Sequence, residues 1–182
     1  MYKAKWSLRR PILPILILAV AALAVTACGT PTTAVTWPGL VARDNVVYVA
    51  YGPGVLAVDV AAEERLWAYP DEPRPSLYFY APPAVGDGRL VVGDFGASKG
   101  MFSPGVAVSV YALDDDGQGT PATRWTAGEI AKDKIVAAPL IVGDRVYVGT
   151  SDNYLLALEL DSGDLVWQFE AGHSIWAQPV FA

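Results

Sequence analysis

The 182-residue chain has 19 acidic and 13 basic side chains, a single histidine and a single cysteine, and a net charge of −6. A net-acidic chain repels nucleic-acid phosphates and disfavours flat adsorption to an anionic bilayer. One cysteine excludes an internal disulfide, and a histidine triad or a His-based zinc site would have to be built on His173 alone.

The chain opens with Lys3, Lys5, Arg9 and Arg10, followed by an apolar run from Ile12 to Val25 that contains Pro14. That run is shorter than the ~20 residues a spanning helix needs. A basic start, a short apolar helix and small residues before a cut form the pattern of a secretory signal peptide, so residues 1–27 are expected to be an N-terminal signal helix. Val25-Thr26-Ala27-Cys28 resembles a bacterial lipobox. The resemblance implies lipid attachment at Cys28, whose thiolate is the nucleophile suited to forming a thioether. Several acyl chains on one residue would anchor firmly, each buried CH₂ contributing roughly 0.8 kcal/mol. Of the 13 basic residues, the four of the leader leave 9 against 19 acidic from Cys28 onward, a net charge of −10. Residues 28–36, with Gly29, Pro31 and four threonines, read as a flexible tether.

Residues 37–182 are built on a phrase that occurs three times. Ala57-Val58-Asp59 leads to Trp67, Ala112-Leu113-Asp114 to Trp125, and Ala157-Leu158-Glu159 to Trp167. The Ala-to-Trp separations are 10, 13 and 10 residues. Such self-similarity marks a repeat architecture. Each copy holds four short apolar runs, in the third copy roughly 139–142, 145–149, 154–160 and 164–169. They are rich in Val, Leu, Tyr and Trp and are divided by Gly143-Asp144, Ser151-Asp152-Asn153 and Asp161-Ser162-Gly163. Those compositions predict strands and tight turns. The units are expected at about 37–80, 81–135 and 136–174, with 175–182 opening a fourth.

Alternation almost disappears in Leu155-Leu156-Ala157-Leu158-Glu159-Leu160, so each sheet has two apolar faces and needs cover on both sides. Neighbouring copies are the simplest cover. The expected fold is therefore all-β, a partial β-propeller of about three four-stranded antiparallel blades. In it Ala57, Ala112 and Ala157 would permit close approach, and Trp67, Trp125 and Trp167 would plug the gaps between blades. The acidic residue two after each alanine reads as an acceptor that stabilises the following turn. Propellers typically need about four to eight blades. Three copies and an opening strand are therefore expected to be a fragment of a longer product, the alternative being several chains completing one ring.

The spacing Ala-x-Asp-x-x-x-Gly-x-x-x-Trp resembles the tryptophan-docking repeat of the PQQ-type β-propellers. Ala157, Glu159, Gly163 and Trp167 match it closely. The first copy departs at Ala61-Ala62-Glu63-Glu64, which has no glycine, and the second carries the insertion Asp115–Pro121. The resemblance implies a fold shared by quinoprotein dehydrogenases, assembly scaffolds and sensor domains. The dehydrogenases resemble one another in an adjacent cysteine pair, which a chain with one cysteine lacks.

Three other segments could carry function. Asp94–Gly105 interrupts the second copy with Phe95, Met101 and Phe102, the candidate partner-contacting residues. Leu77-Tyr78-Phe79-Tyr80 reads as a buried first strand, with a ligand platform as the alternative. Asp114-Asp115-Asp116-Gly117-Gln118-Gly119 lacks the distant acidic ligand of a calcium loop and reads as an enlarged hairpin turn.

The expected function is a non-catalytic scaffold without a cofactor, lipid-anchored in the bacterial cell envelope, that binds envelope proteins or client polypeptides. A lipobox, a tether and these repeats resemble the propeller lipoproteins of outer-membrane β-barrel assembly. Its place would then be the periplasmic face of the outer membrane, or the outer face of the cytoplasmic membrane in a cell with one membrane. The alternatives are a fragment of a quinoprotein dehydrogenase and a solute- or polysaccharide-binding surface lipoprotein.

Overall fold

The computed structural model describes residues 38–74, 76–98, 106–116 and 119–182. The signal segment, the tether and Cys28 lie outside the described residues, as do Met101 and Phe102.

Three antiparallel sheets follow one another along the chain. The first is β1 (Gly39–Arg43), β2 (Val46–Tyr51), β3 (Gly54–Asp59) and β4 (Glu64–Tyr69), in that spatial order. The second contains β5 (Ala84–Gly86), β6 (Arg89–Gly93), β8 (Val106–Asp114) and β9 (Ala122–Ala131), with the two-residue β7 (Ala97–Ser98) paired to the start of β8. The third is β10 (Leu140–Val142), β11 (Arg145–Gly149), β12 (Tyr154–Glu159) and β13 (Leu165–Glu170). This is the expected all-β architecture, with β7 as an unexpected fifth strand. The excursion after Asp94 folds back, pairing Ala97 with Ala107 and Ser98 with Val106.

Residues 77–80 depart from expectation. They form only one isolated bridge, Phe79 with Gly52, and the first strand of the second sheet begins at Ala84. Pro82 and Pro83 explain the delay, because proline cannot donate to a ladder. The alternation of a strand persists nonetheless: Leu77, Phe79 and Ala81 are buried, while Tyr78 and Tyr80 are only partly covered.

The sheets stack face to face, because side chains on a strand point alternately to its two faces. Leu90, Val92, Tyr111 and Leu113 of the second sheet join Tyr48, Val55, Trp67 and Tyr69 of the first in one core cluster. The intervening Val91, Val110 and Ala112 turn the other way, with Trp125, and join Val146, Val148, Leu156 and Leu158 of the third. Among the described elements, the sheets approach one another through their first strands, β1 against β5 and β5 against β10. Sheets close at the first strand and spread towards the fourth form a fan, the geometry of propeller blades.

Candidate functional site

In each repeat the alanine and the tryptophan are cross-strand partners: Ala57 with Trp67, Ala112 with Trp125, Ala157 with Trp167. A register shift follows each alanine, between Ala57 and Val58, Ala112 and Leu113, and Ala157 and Leu158. A bulge of this kind bends the strand and re-aims the side chains next to it. The indole thus lies over a fully buried alanine and projects towards the next sheet.

The two internal joints use this projection differently. Trp125 Nε1 donates to the carbonyl oxygen of Leu160 at 2.8 Å, and its ring fills the space above Gly163, which has φ +77°. Trp67 Nε1 donates instead to the Asp115 carboxylate at 3.2 Å, whose other oxygen accepts from Tyr48 Oη at 2.6 Å. Burial, then the hydrogen bond to Asp115, raises the Tyr48 pKa well above the ordinary phenol value. From sequence alone Asp115 reads only as a residue of an enlarged turn. The turn connects β8 to β9, and it also delivers this carboxylate to the neighbouring sheet, a role its position in a run of three aspartates conceals. Trp167 packs on Tyr147 with ring centroids 5.9 Å apart and is 42 % exposed.

Of the three acidic residues following the alanines, Asp59 shows the expected acceptor role, taking the backbone N–H groups of Ala61 (2.8 Å) and Ala62 (3.0 Å). Asp114 pairs with Arg89 and Arg124, and Glu159 with Arg145. The ion pairs arise because an arginine lies opposite Asp114 and Glu159 in the second strand of their sheets whereas Val46 lies opposite Asp59.

A second group of residues forms an open surface on the connections between sheets. Each connection donates one backbone bond to the end of the previous second strand: Phe79 to Gly52, Ile135 to Asp94 and Ile175 to Thr150. Gly93 and Gly149 let Ile135 and Ile175 come that close; a β-carbon at Gly93 would stand 2.6 Å from Ile135 Cγ2. The residues beside these anchors, Tyr80, Val136 and Trp176, are thereby held at the surface. Tyr78 and Tyr80 stack at 6.4 Å, Phe95 meets Tyr80 edge-on at 4.8 Å, and Lys134 Nζ lies 4.9 Å over the Phe95 ring. Burial, and then the neighbouring Tyr78 and Tyr51 hydroxyls, raise the pKa of Tyr80. A cavity of about 440 Å³ is lined by Phe95, Lys134, Val136, Ser151 and Trp176, with Trp176 Nε1 donating to Ser151 Oγ at 3.2 Å.

Asp94 holds Phe95 in this arrangement. Its Oδ1 accepts from the backbone of Gly96 (2.9 Å) and Ser109 (3.1 Å), and its Oδ2 from Tyr111 Oη (3.2 Å). Burial raises its pKa, against the lowering effect of these three donors. Tyr111 is pushed up to about 12, first by burial and then by the Asp94 charge. The sequence reading missed Asp94, although an aspartate two residues before a glycine is the signal of an Asx turn. Such a surface offers flat apolar faces, hydroxyls and one ammonium, which suits the side chains of a polypeptide. His173 lies exposed in the connection after β13, and among the described residues no group of three or more His, Cys, Asp or Glu side chains could hold a metal ion.

Comparison with known proteins adds the following. Residues 55–179 match the family model described as "Outer membrane protein assembly factor BamB". A search of curated protein sequences gives no significant match. Among solved structures, BamB from Moraxella catarrhalis superposes with a TM-score of 0.56 at 20 % identity, over 78 % of this chain and 38 % of that one. The computationally designed Ika4 protein superposes with 0.54 at 17 % identity, over 81 % and 80 %. A quinohemoprotein alcohol dehydrogenase from Pseudomonas putida superposes with 0.52 at 16 % identity, over 74 % and 27 %. At these identities the structures establish the fold alone. The chain spans well under half the length of the BamB and dehydrogenase structures.

Proposed function

The chain belongs to the family described as outer membrane protein assembly factor BamB, and from that membership we propose that it is a cell-envelope scaffold that binds polypeptides rather than turning over a substrate. The observation that carries this reading is the aromatic surface of Tyr78, Tyr80 and Phe95, with Lys134 over it, set on inter-sheet connections in a chain of this family. Loops held on a rigid scaffold are where binding function concentrates, and aromatic side chains supply contact area at low conformational cost.

In this proposal Cys28 carries the lipid, residues 28–36 form the tether, and the repeats stand off the membrane surface. Phe95, with Met101 and Phe102 of the same excursion, makes the partner contact. The partners are envelope proteins or client polypeptides, with outer-membrane protein assembly as the process. No cofactor takes part.

The experiment is in-cell crosslinking of the full-length protein followed by recovery from membranes, comparing wild type with Tyr80→Ser and Phe95→Ser. The expected result is envelope proteins crosslinked to wild type and reduced in both variants. A protein recovered alone, or one that shows quinone-dependent dye reduction with calcium, would overturn the reading. Lipid attachment is tested separately: Cys28→Ala should abolish fatty-acid labelling and membrane retention.

A further inference from the structure

The cavity beside Phe95 has one charged side chain in its wall. Of the residues that line it, Phe95, Val136 and Trp176 present apolar surface, and Ser151 is buried. The polar side-chain atoms of Ser151 and Trp176 are taken up by each other, Nε1 donating to Oγ at 3.2 Å. The Ser151 backbone is satisfied too: its N–H donates to Lys134 O at 3.0 Å, and its carbonyl accepts from Ser174 Oγ at 2.6 Å. That leaves the Lys134 ammonium as the polar side-chain group of the wall that is open to a ligand.

Lys134 reaches this position without a carboxylate. Asp133, its neighbour in the chain, turns back to accept the Lys134 backbone N–H at 2.8 Å. Asp152 accepts the Lys132 N–H at 2.9 Å, and Asp94 is buried on Gly96, Ser109 and Tyr111. Among the described residues Lys134 Nζ forms no ion pair. It lies over the Phe95 ring, a contact that balances charge and leaves the N–H donors of the ammonium free.

The ring beneath it is fixed from the other connection. Phe95 N donates to Tyr78 O at 2.7 Å, and Tyr80 meets the ring edge-on. The stacked Tyr78 and Tyr80 lie outside the cavity wall. Phe95 thus borders two apolar sites, the concave cavity and the tyrosine pair, with the ammonium at its face.

Resting on the polypeptide-binding reading above, we propose that this site selects an internal segment of a partner polypeptide in which a single Asp or Glu is flanked by large apolar side chains. One apolar side chain enters the cavity, the carboxylate meets Lys134 Nζ, and the other apolar side chain lies on Tyr80. The charge complementarity is local. The chain is net acidic, and Asp133 and Asp152 serve the same connection as Lys134, so a run of acids is repelled where one carboxylate is held. A chain terminus carries an apolar group on only one side of its carboxylate and leaves the tyrosines uncovered.

The test follows the fluorescence anisotropy of labelled, doubly capped peptides titrated with the full-length protein in mild detergent. The probe carries Phe-Glu-Tyr at its centre between Ser and Thr residues. Matched peptides replace its Glu by Gln, and another ends in Phe with a free carboxylate. Wild type should bind the Glu peptide roughly fivefold more tightly than the Gln peptide, the upper end for a partly exposed ion pair, and salt should weaken that preference. Lys134→Met keeps the aliphatic stem and should abolish the preference, with the Gln peptide bound as by wild type; Lys134→Arg should retain it. Equal affinity of wild type for the Glu and Gln peptides, a preference that survives Lys134→Met, or tighter binding of the free-carboxylate peptide would overturn the proposal. The Glu-to-Gln comparison on wild type is independent of how any variant folds. In-cell crosslinks that are lost in Tyr80→Ser and Phe95→Ser, beside peptides whose charge makes no difference, would sink the acidic-segment assignment alone. No crosslink and no bound peptide would sink the scaffold reading with it.

Discussion

The indole of Trp125 closes over Gly163 of the next sheet so tightly that a β-carbon at Gly163 would stand 2.6 Å from Cδ2. One side chain therefore joins two sheets by shape and, through Nε1 and the Leu160 carbonyl, by a buried hydrogen bond. The contact makes the glycine of one repeat and the tryptophan of the preceding one a single structural unit.

Gly163→Ala and Gly172→Ala separate the two demands on that glycine. Both positions have nearly the same backbone angle, φ +77° and +76°, but no atom lies within 4 Å of a β-carbon at Gly172. Gly172→Ala should cost about 1 kcal/mol, the strain of a left-handed non-glycine residue. Gly163→Ala should cost clearly more, because Trp125 must move. Urea unfolding of both variants measures the difference, and equal costs would refute the close contact.

Trp125→Ala should destabilise by about 3–5 kcal/mol, the range for a large buried aromatic. Trp167→Ala should cost much less in the same chain, since the indole is 42 % exposed against 8 % for Trp125. Denaturant midpoints at constant m-value check the ordering.

Asp115→Asn should weaken the first joint by about 1–3 kcal/mol, because two donors, Tyr48 Oη and Trp67 Nε1, converge on this one carboxylate. It should also move the Tyr48 pKa down towards the ordinary phenol value, since Asp115 is among the causes that raise it. Spectrophotometric titration, with Tyr48→Phe as the reference, reads this directly. An unchanged titration would show that burial alone sets the pKa.

Asp94 should make stability depend on pH in the acid range. Burial holds its folded pKa above the ordinary aspartate value, so folding favours the neutral carboxyl. Its contribution is full below that value and is lost as pH rises through the folded pKa, because the native state there binds more protons than the unfolded one. The stability of wild type relative to Asp94→Asn should therefore fall on going from about pH 3 upward and level off once Asp94 is ionised. A relative stability that rises over this interval would contradict the burial argument.

The strands of the third sheet were readable to within one residue of their ends, because Gly143-Asp144, Ser151-Asp152-Asn153 and Asp161-Ser162-Gly163 are local turn signals and strand composition is local too. The 77–80 segment was misread because its alternation is strand-like while the prolines that postpone pairing come after it. Of the surface residues, Phe95 was anticipated from its place in an insertion. Tyr78 and Tyr80 read from sequence as part of a buried strand, with a platform as the alternative. Lys134 and Trp176 gave no signal, since they reach this surface only when separate connections pack side by side.

The amino-acid sequence alone determined the repeat, the all-β class and the two apolar faces of each sheet, because period, turn chemistry and hydrophobicity act over a few residues. Only the tertiary structure decided which acceptor each tryptophan meets. Asp115 and Leu160 lie 48 and 35 residues from their indoles, and partners so far apart are set by how whole sheets stack rather than by anything local to either residue.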